Sequence, residues 1–181
     1  MKLLATLNPE YASEAEADGY MRREAARAVV FDAEGNIALL GVAKLGYHKL
    51  PGGGVEAGEG AVDALMRECR EEIGCTVEII DALGEIIEYR KMFNLKQTSF
   101  CFLAKVVGAK GEPGFMPDEI AAGFEIQWVP FSVAKQLLNL DRPEAKEAVY
   151  YMIPREKIIL EAAKAALTHK TGDSCSGGHC Y

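Results

Sequence analysis

Apolar and polar positions divide the chain into short runs of changing period. Residues 2–7 (KLLATL) have the pattern of a short strand, and 8–20 are polar, acidic and Ala-rich, a loop or a short helix. Residues 25–31 (AARAVVF) and 37–42 are apolar and β-branched. The Asp-Ala-Glu-Gly-Asn stretch between them makes the pair a β-hairpin. A strand at 47–50 leads into a Pro-Gly-Gly-Gly loop. Residues 61–73 are helical by pattern, and 76–90 and 97–107 read as two long strands. A Gly/Pro loop follows over 108–118, then a short strand at 126–129. A helix over 132–140 has Ser132 as its expected N-cap. The stretch 143–168 is mostly helical, with an interruption expected near Pro154.

Strands and helices mix without strict βαβ alternation, which predicts a mixed sheet covered by helices. With 181 residues, 49% hydrophobic and 26% charged, the chain can bury a core and is the length of one domain. That domain is expected over 1–170, with 171–181 a Gly/Ser-rich, disordered tail. A net charge of −7 argues against non-specific binding to nucleic acid or anionic membrane. It leaves anionic small molecules open, because bound metal can reverse the local sign. No apolar run approaches the ~18 residues of a membrane span, and the start lacks a signal-peptide pattern, so a cytoplasmic protein is expected. The five cysteines fit that expectation: Cys69, Cys75 and Cys101 lie in apolar patterns, as buried thiols do. Cys175, His179 and Cys180 in the tail are a weak metal or disulfide signal.

The chemistry concentrates in residues 53–75, GGVEAGEGAVDALMRECREEIGC. A helix starting after Gly60 would carry Asp63 in its first turn and end at Gly74 in a left-handed conformation. At helical spacing Val62, Leu65, Met66, Cys69 and Ile73 share one side, while Glu68, Glu71 and Glu72 share an adjacent one. Three carboxylates on one patch repel, with Arg67 and Arg70 relieving part of it. Arg67 has Asp63 and Glu71 each four residues away. Hard divalent cations such as Mg²⁺ or Mn²⁺ prefer such oxygens, so a cation is the simplest reason for the cluster. A solvated acidic face is the alternative.

This segment resembles the box of the Nudix (MutT-like) hydrolases, G-x5-E-x7-R-E-U-x-E-E-x-G-U, where U is a bulky aliphatic residue. Gly53, Glu59, Arg67, Glu68, Glu71, Glu72 and Gly74 fill all seven fixed positions. At roughly 7% per residue type, chance odds are on the order of one in 10⁸. Cys69 and Cys75 stand at the two U positions, a change of packing rather than of chemistry. Leu50-Pro51-Gly52 matches the usual lead-in, and a looser resemblance runs from about residue 22 to 140.

The resemblance implies a Nudix-type α/β/α sandwich with a mixed, twisted sheet. It also implies metal-dependent hydrolysis of a phosphoanhydride in a nucleoside diphosphate linked to another group. Glu68, Glu71 and Glu72 would be metal ligands for Mg²⁺ or Mn²⁺, assisted by the carbonyl of Gly53 or its neighbour. Arg67 would orient the carboxylates, and Glu59 would fix the loop-to-helix junction. For the water-activating base, Glu119 in the late loop ranks first and Glu125 second, with Glu68 the competitor inside the box. Arg27, interrupting an apolar strand, either reaches a substrate phosphate or pairs with an acid on a neighbouring strand. His48 and Lys49, just before the Gly loop, either line the substrate mouth or are ordinary strand polarity, and Gly52 and Gly53 are expected to bind substrate. Nucleoside triphosphate pyrophosphohydrolase is the first expectation, and ADP-ribose or nucleotide-sugar pyrophosphatase the second. A non-catalytic nucleotide sensor and an isoprenoid diphosphate isomerase are the rivals. Markers for ADP-ribose, diadenosine polyphosphate and coenzyme A substrates are not cleanly present. A homodimer stays open.

Overall fold

Small and β-branched residues allow the strand Ala25–Phe31 to lie at the centre of the molecule with helices on both faces. The structure, a computed structural model, describes residues 1–173. Its strands are β1 (Leu3–Leu7), β2 (Met21–Phe31), β3 (Asn36–Val42), β4 (Tyr47–Lys49), β5 (Thr76–Arg90), β6 (Leu95–Val107) and β7 (Phe124–Pro130). They join in one mixed sheet in the order β1-β5-β6-β2-β3-β4, with β7 also pairing β3. β2 runs parallel to β6 from Met21↔Leu95 to Phe31↔Lys105, while β5–β6 and β2–β3 are antiparallel.

The helices are α1 (Glu14–Asp18), α2 (Ala61–Ile73), α3 (Pro117–Ala122), α4 (Phe131–Leu140) and α5 (Ile153–Asp173). α2 packs Leu65, Cys69 and Ile73 on the face carrying Ala26, Ala28, Val30 and Leu40. α4 and α5 cover the other face, where Ala134, Leu138, Ile159 and Leu160 meet Val29, Leu39, Cys101 and Leu103. This alternation along β2 and β3 is the period-two pattern of a strand buried on both sides. The expected α/β/α sandwich is what forms.

α2 begins and ends where its sequence directs. Asp63 Oδ2 accepts the Gly60 amide at 3.4 Å, and Gly74 closes the helix at φ 63°. Three expectations need correction. The segment read as a loop to 118 turns into α3 at Pro117, whose missing amide costs nothing at a first helical position. Ser132 does not cap α4: the helix starts at Phe131 after Pro130, with no side-chain cap. The interruption at Pro154 is a widened π turn over Ala148–Met152, after which α5 continues to Asp173, into the segment expected as tail. Cys175, His179 and Cys180 lie outside the described residues. Among the described residues no helix is long and apolar enough to cross a membrane.

Candidate active site

The Pro51–Val55 loop is laced to β2. Ala28 N donates to Pro51 O at 3.1 Å, Ala26 N to Gly53 O at 2.9 Å, and Val55 N to Glu24 O at 3.0 Å. Two glycines make this approach feasible. Gly52 has φ 131°, and a Cβ there would stand 2.1 Å from Ala26 O. A Cβ on Gly53 would stand 2.0 Å from Glu68 Oε1. The loop is thus pressed between the central strand and the carboxylates of α2.

Arg67 organises that side of the helix. Its Nη2 donates to Glu59 Oε1 at 2.8 Å and to Gly54 O at 2.9 Å; its Nη1 donates to Glu68 Oε1 at 2.9 Å and to Glu71 Oε2 at 3.1 Å. One planar guanidinium therefore ties loop, junction and two carboxylates together. Glu59 also accepts the Glu56 amide at 2.8 Å, and Arg67 followed by that amide holds its carboxyl below the usual range. The expected Arg67 link to Glu71 forms, whereas Asp63 serves the helix cap.

Glu72 points the other way, into the interior. It is 2% exposed, accepts the Lys49 ammonium on Oε1 at 2.5 Å and the Gly52 amide on Oε2 at 2.7 Å. Glu71 is half exposed. The three glutamates thus do not converge as the helical wheel suggested, and among the described residues no three acids, histidines or cysteines lie together as a metal cage. The physical reason is that the protein's own cations divide them, Lys49 taking Glu72 while Arg67 takes Glu68 and Glu71. The Gly53 carbonyl likewise has one lone pair committed to Ala26.

The oxygens still suit a hard divalent cation. Burial, and next the charge of Glu72, push the Glu68 carboxyl above its ordinary value despite Arg67. A cation beside this buried carboxylate would favour its charged form. The residues fit a metal once the Lys49 and Arg67 pairs open; Glu71 and Glu72 are the carboxylates that would then hold it, with Glu68 a further ligand or the base.

Arg27 lies below this group on β2. It is 7% exposed, its Nη1 reaches only the neighbouring Ala26 O at 3.3 Å, and its Nε has no partner. Burial and the Arg155 charge pull its guanidinium below the ordinary arginine value, against Glu156, Glu72 and Glu68. The acid partner on a neighbouring strand, weighed from sequence, is not what its hydrogen bonds show. Under it runs a buried network that sequence reading missed. Arg155 binds Glu156 at 2.6 Å and Glu88 at 3.3 Å, Arg90 binds Glu88 at 2.5 Å, and Glu156 accepts the Leu50 amide at 3.2 Å. The available signal was the adjacent Arg155-Glu156 pair inside an apolar helical run, and the Glu88/Arg90 alternation after Ile86.

Other expected residues are not brought together with these. Gly41 pairs with His48 and Glu125 across β3, while Leu40 pairs with Lys49 and Ile126. Successive strand residues face opposite sides, so His48 and Glu125 share the face away from Lys49. There His48 Nδ1 lies 2.7 Å from Asp141 Oδ1, beside a cavity of about 510 Å³ lined by Gly41, Glu125, Gln127 and Leu137. Glu119 sits on exposed α3, where its Oε2 accepts the Met116 amide at 2.9 Å. Its loop is no free lid either, since Gly111 N is tied to Gly74 O at 2.9 Å and Gly114 N to Glu71 O at 2.7 Å.

The NUDIX domain model matches residues 21–152. No curated protein matches the chain. Solved structures share the fold at low identity. A NUDIX hydrolase from Nitrosomonas europaea is 17% identical with a TM-score of 0.62, covering 81% of this chain and 90% of its own. An Ap4A hydrolase of C. elegans is 18% identical with a TM-score of 0.56, covering 81% and 98%. An ADP-ribose pyrophosphatase from Streptococcus suis is 18% identical with a TM-score of 0.50, covering 78% and 92%. The family match spans most of the chain and includes the whole Gly53–Cys75 box with its Arg67-centred carboxylates, so this chain belongs to the Nudix family of hydrolases.

Proposed function

We propose that the enzyme hydrolyses a phosphoanhydride in a nucleoside diphosphate linked to a further group, with nucleoside triphosphates the first substrates and with Mg²⁺ or Mn²⁺ as cofactor. The observation that carries this reading is the Arg67 hub, which holds Glu59, Glu68, Glu71 and the Gly54 carbonyl in one array beside a glycine loop. A divalent cation held by Glu71 and Glu72 would neutralise phosphate charge and acidify a water, which leaves Glu68 free to take that water's proton. Arg27 offers its unpartnered Nε to a substrate phosphate, since an unpaired buried guanidinium is costly and an anion would satisfy it.

Glu68 is the better base than Glu119. Burial raises its carboxyl above its ordinary value and it lies against the Gly53 backbone within the box, whereas the Glu119 carboxylate caps exposed α3. The water oxygen forms the new P–O bond, the anhydride P–O bond breaks, pyrophosphate (from a triphosphate) or the linked phosphorylated group leaves with the bond's electron pair, and Glu68 receives the water's proton. No covalent enzyme intermediate is required. A cytoplasmic setting is in keeping with the buried free thiols Cys69, Cys75 and Cys101.

A panel of nucleoside triphosphates, ADP-ribose, nucleotide sugars and diadenosine polyphosphates, assayed with Mg²⁺ and Mn²⁺, tests the reading. Pyrophosphate released from triphosphates with the highest kcat/KM supports the first assignment. Preference for ADP-ribose or a nucleotide sugar moves it to the second. Nucleotide binding without turnover on any member makes the protein a sensor. Arg27→Met is expected to raise KM for the best substrate about tenfold or more while the folded fraction is unchanged, because one charge-assisted phosphate contact is lost. An unchanged KM would remove Arg27 from the substrate site. Glu119→Gln is expected to keep the wild-type rate and pH profile, and Glu68→Gln to lose both; the reverse pattern would return the base to the late loop.

A further inference from the structure

Glu72 is the buried carboxylate of the box, and its two oxygens are taken inside the fold by the Lys49 ammonium and the Gly52 amide. Lys49 is not a passing surface partner. Its backbone is fixed by pairing with Leu40 in the sheet, and its side chain is 10% exposed. Its ammonium also stands 5.0 Å from the centroid of the Phe124 ring, a second attraction for a cation. Phe124 is braced edge-on by Phe115 at 5.9 Å, and Phe115 follows Gly114, whose amide binds Glu71 O. Sheet, late loop and box helix thus converge to hold one ammonium on one carboxylate.

We infer that Lys49 is a built-in counter-ion of Glu72 that a divalent cation must displace, so that Lys49 sets the affinity of the enzyme for its metal. The inference rests on the reading of Glu72 as a metal ligand. The physical argument is competition. An ammonium and a divalent cation on the same buried carboxylate repel strongly, because little solvent screens them. A metal ligating Glu72 therefore pays for breaking the Lys49 pair, whereas a protein without that charge presents Glu72 unopposed. Arg67 has no such effect on Glu72, since its bonds go to Glu59, Glu68, Glu71 and Gly54. Lys49 is a positioning residue in this account: it holds the deep carboxylate in place until metal arrives.

The test is Mn²⁺ binding to the full chain, read by electron paramagnetic resonance of the free ion, for wild type, Lys49→Met and Lys49→Gln. Melting temperature with and without Mn²⁺ is the second readout. Both variants are expected to bind Mn²⁺ about tenfold tighter or more, the coupling measured for close charge pairs. They are also expected to melt lower than wild type without metal and to gain more from its addition. Lys49→Gln keeps a hydrogen-bond donor for Glu72 without the charge, so it covers the case in which Lys49→Met folds poorly. Wild-type binding of Mn²⁺ with equal or weaker binding by both variants overturns the counter-ion role and leaves the metal site standing. No Mn²⁺ bound by any of the three overturns both.

Discussion

Glu72→Gln should lower turnover by about a thousand-fold, the scale of losing one preorganised group behind the charge that stabilises the reacting phosphate, here a ligand of the cation. It should also weaken the fold. From sequence alone the substitution looks benign, since it removes one of three repelling acids. The structure changes that expectation, because Glu72 is buried against Lys49 and the Gly52 amide rather than against other glutamates. Neutralising it leaves an ammonium buried without its partner, a loss of about 3 kcal/mol. For a chain of this size that is a melting point lower by about 10 °C. Pairing the change with Lys49→Met should restore most of the stability and none of the turnover, because the lone buried charge is gone while the ligand is still missing. Recovery of turnover in the double variant would mean that the single variant fails by misfolding and that Glu72 has no part in the chemistry.

Gly52→Ala should be among the most damaging single-methyl additions in the protein. The new Cβ would lie 2.1 Å from Ala26 O at a residue with φ 131°, so it clashes with backbone and strains its own dihedrals at once. Neither can be relieved by rotating a side chain. The loop must leave β2, breaking the Gly53–Ala26 and Pro51–Ala28 bonds and withdrawing the amide from Glu72. A loss of about 5 kcal/mol or more is expected, enough to leave little folded protein. Gly58→Ala is the control, because it has a positive φ of 90° yet open space around it, so it carries the dihedral strain without the clash. Chemical denaturation of both separates the terms, and equal losses at the two positions would show that the close approach at Gly52 contributes nothing.

Much of this was legible in the sequence where local rules suffice. Helical spacing with Gly60 before it and Gly74 after it placed α2 at Ala61–Ile73, and apolar runs placed β5 at Thr76–Arg90. The Arg67 link to Glu71 follows from four-residue spacing on one helix, while the junction role of Glu59 comes with the family resemblance. What was hidden depends on residues far apart in the chain. Lys49 and Glu72 are 23 positions apart, and nothing local shows that β4 lays one over the other. His48 and Lys49 were grouped as mouth residues, but neighbours on a strand face opposite ways, and Asp141, 93 positions on, claims His48. The Arg155 network is hidden in part for the same reason: Glu156 is its chain neighbour, but Glu88 comes from β5, 67 positions away. Gly and Pro dominate the segment before α3 and mask it in the pattern, although Pro117 followed by Glu119 is a helix start.

The most direct test of the account is hydrolysis by the wild-type enzyme of its best phosphoanhydride substrate, measured in Mg²⁺, in chelator, and after Mg²⁺ is restored in excess. The account predicts turnover that disappears with chelation and returns in full with the cation. Equal turnover in chelator would contradict it, because the box carboxylates would then serve the reaction with Lys49 and Arg67 as their only cations.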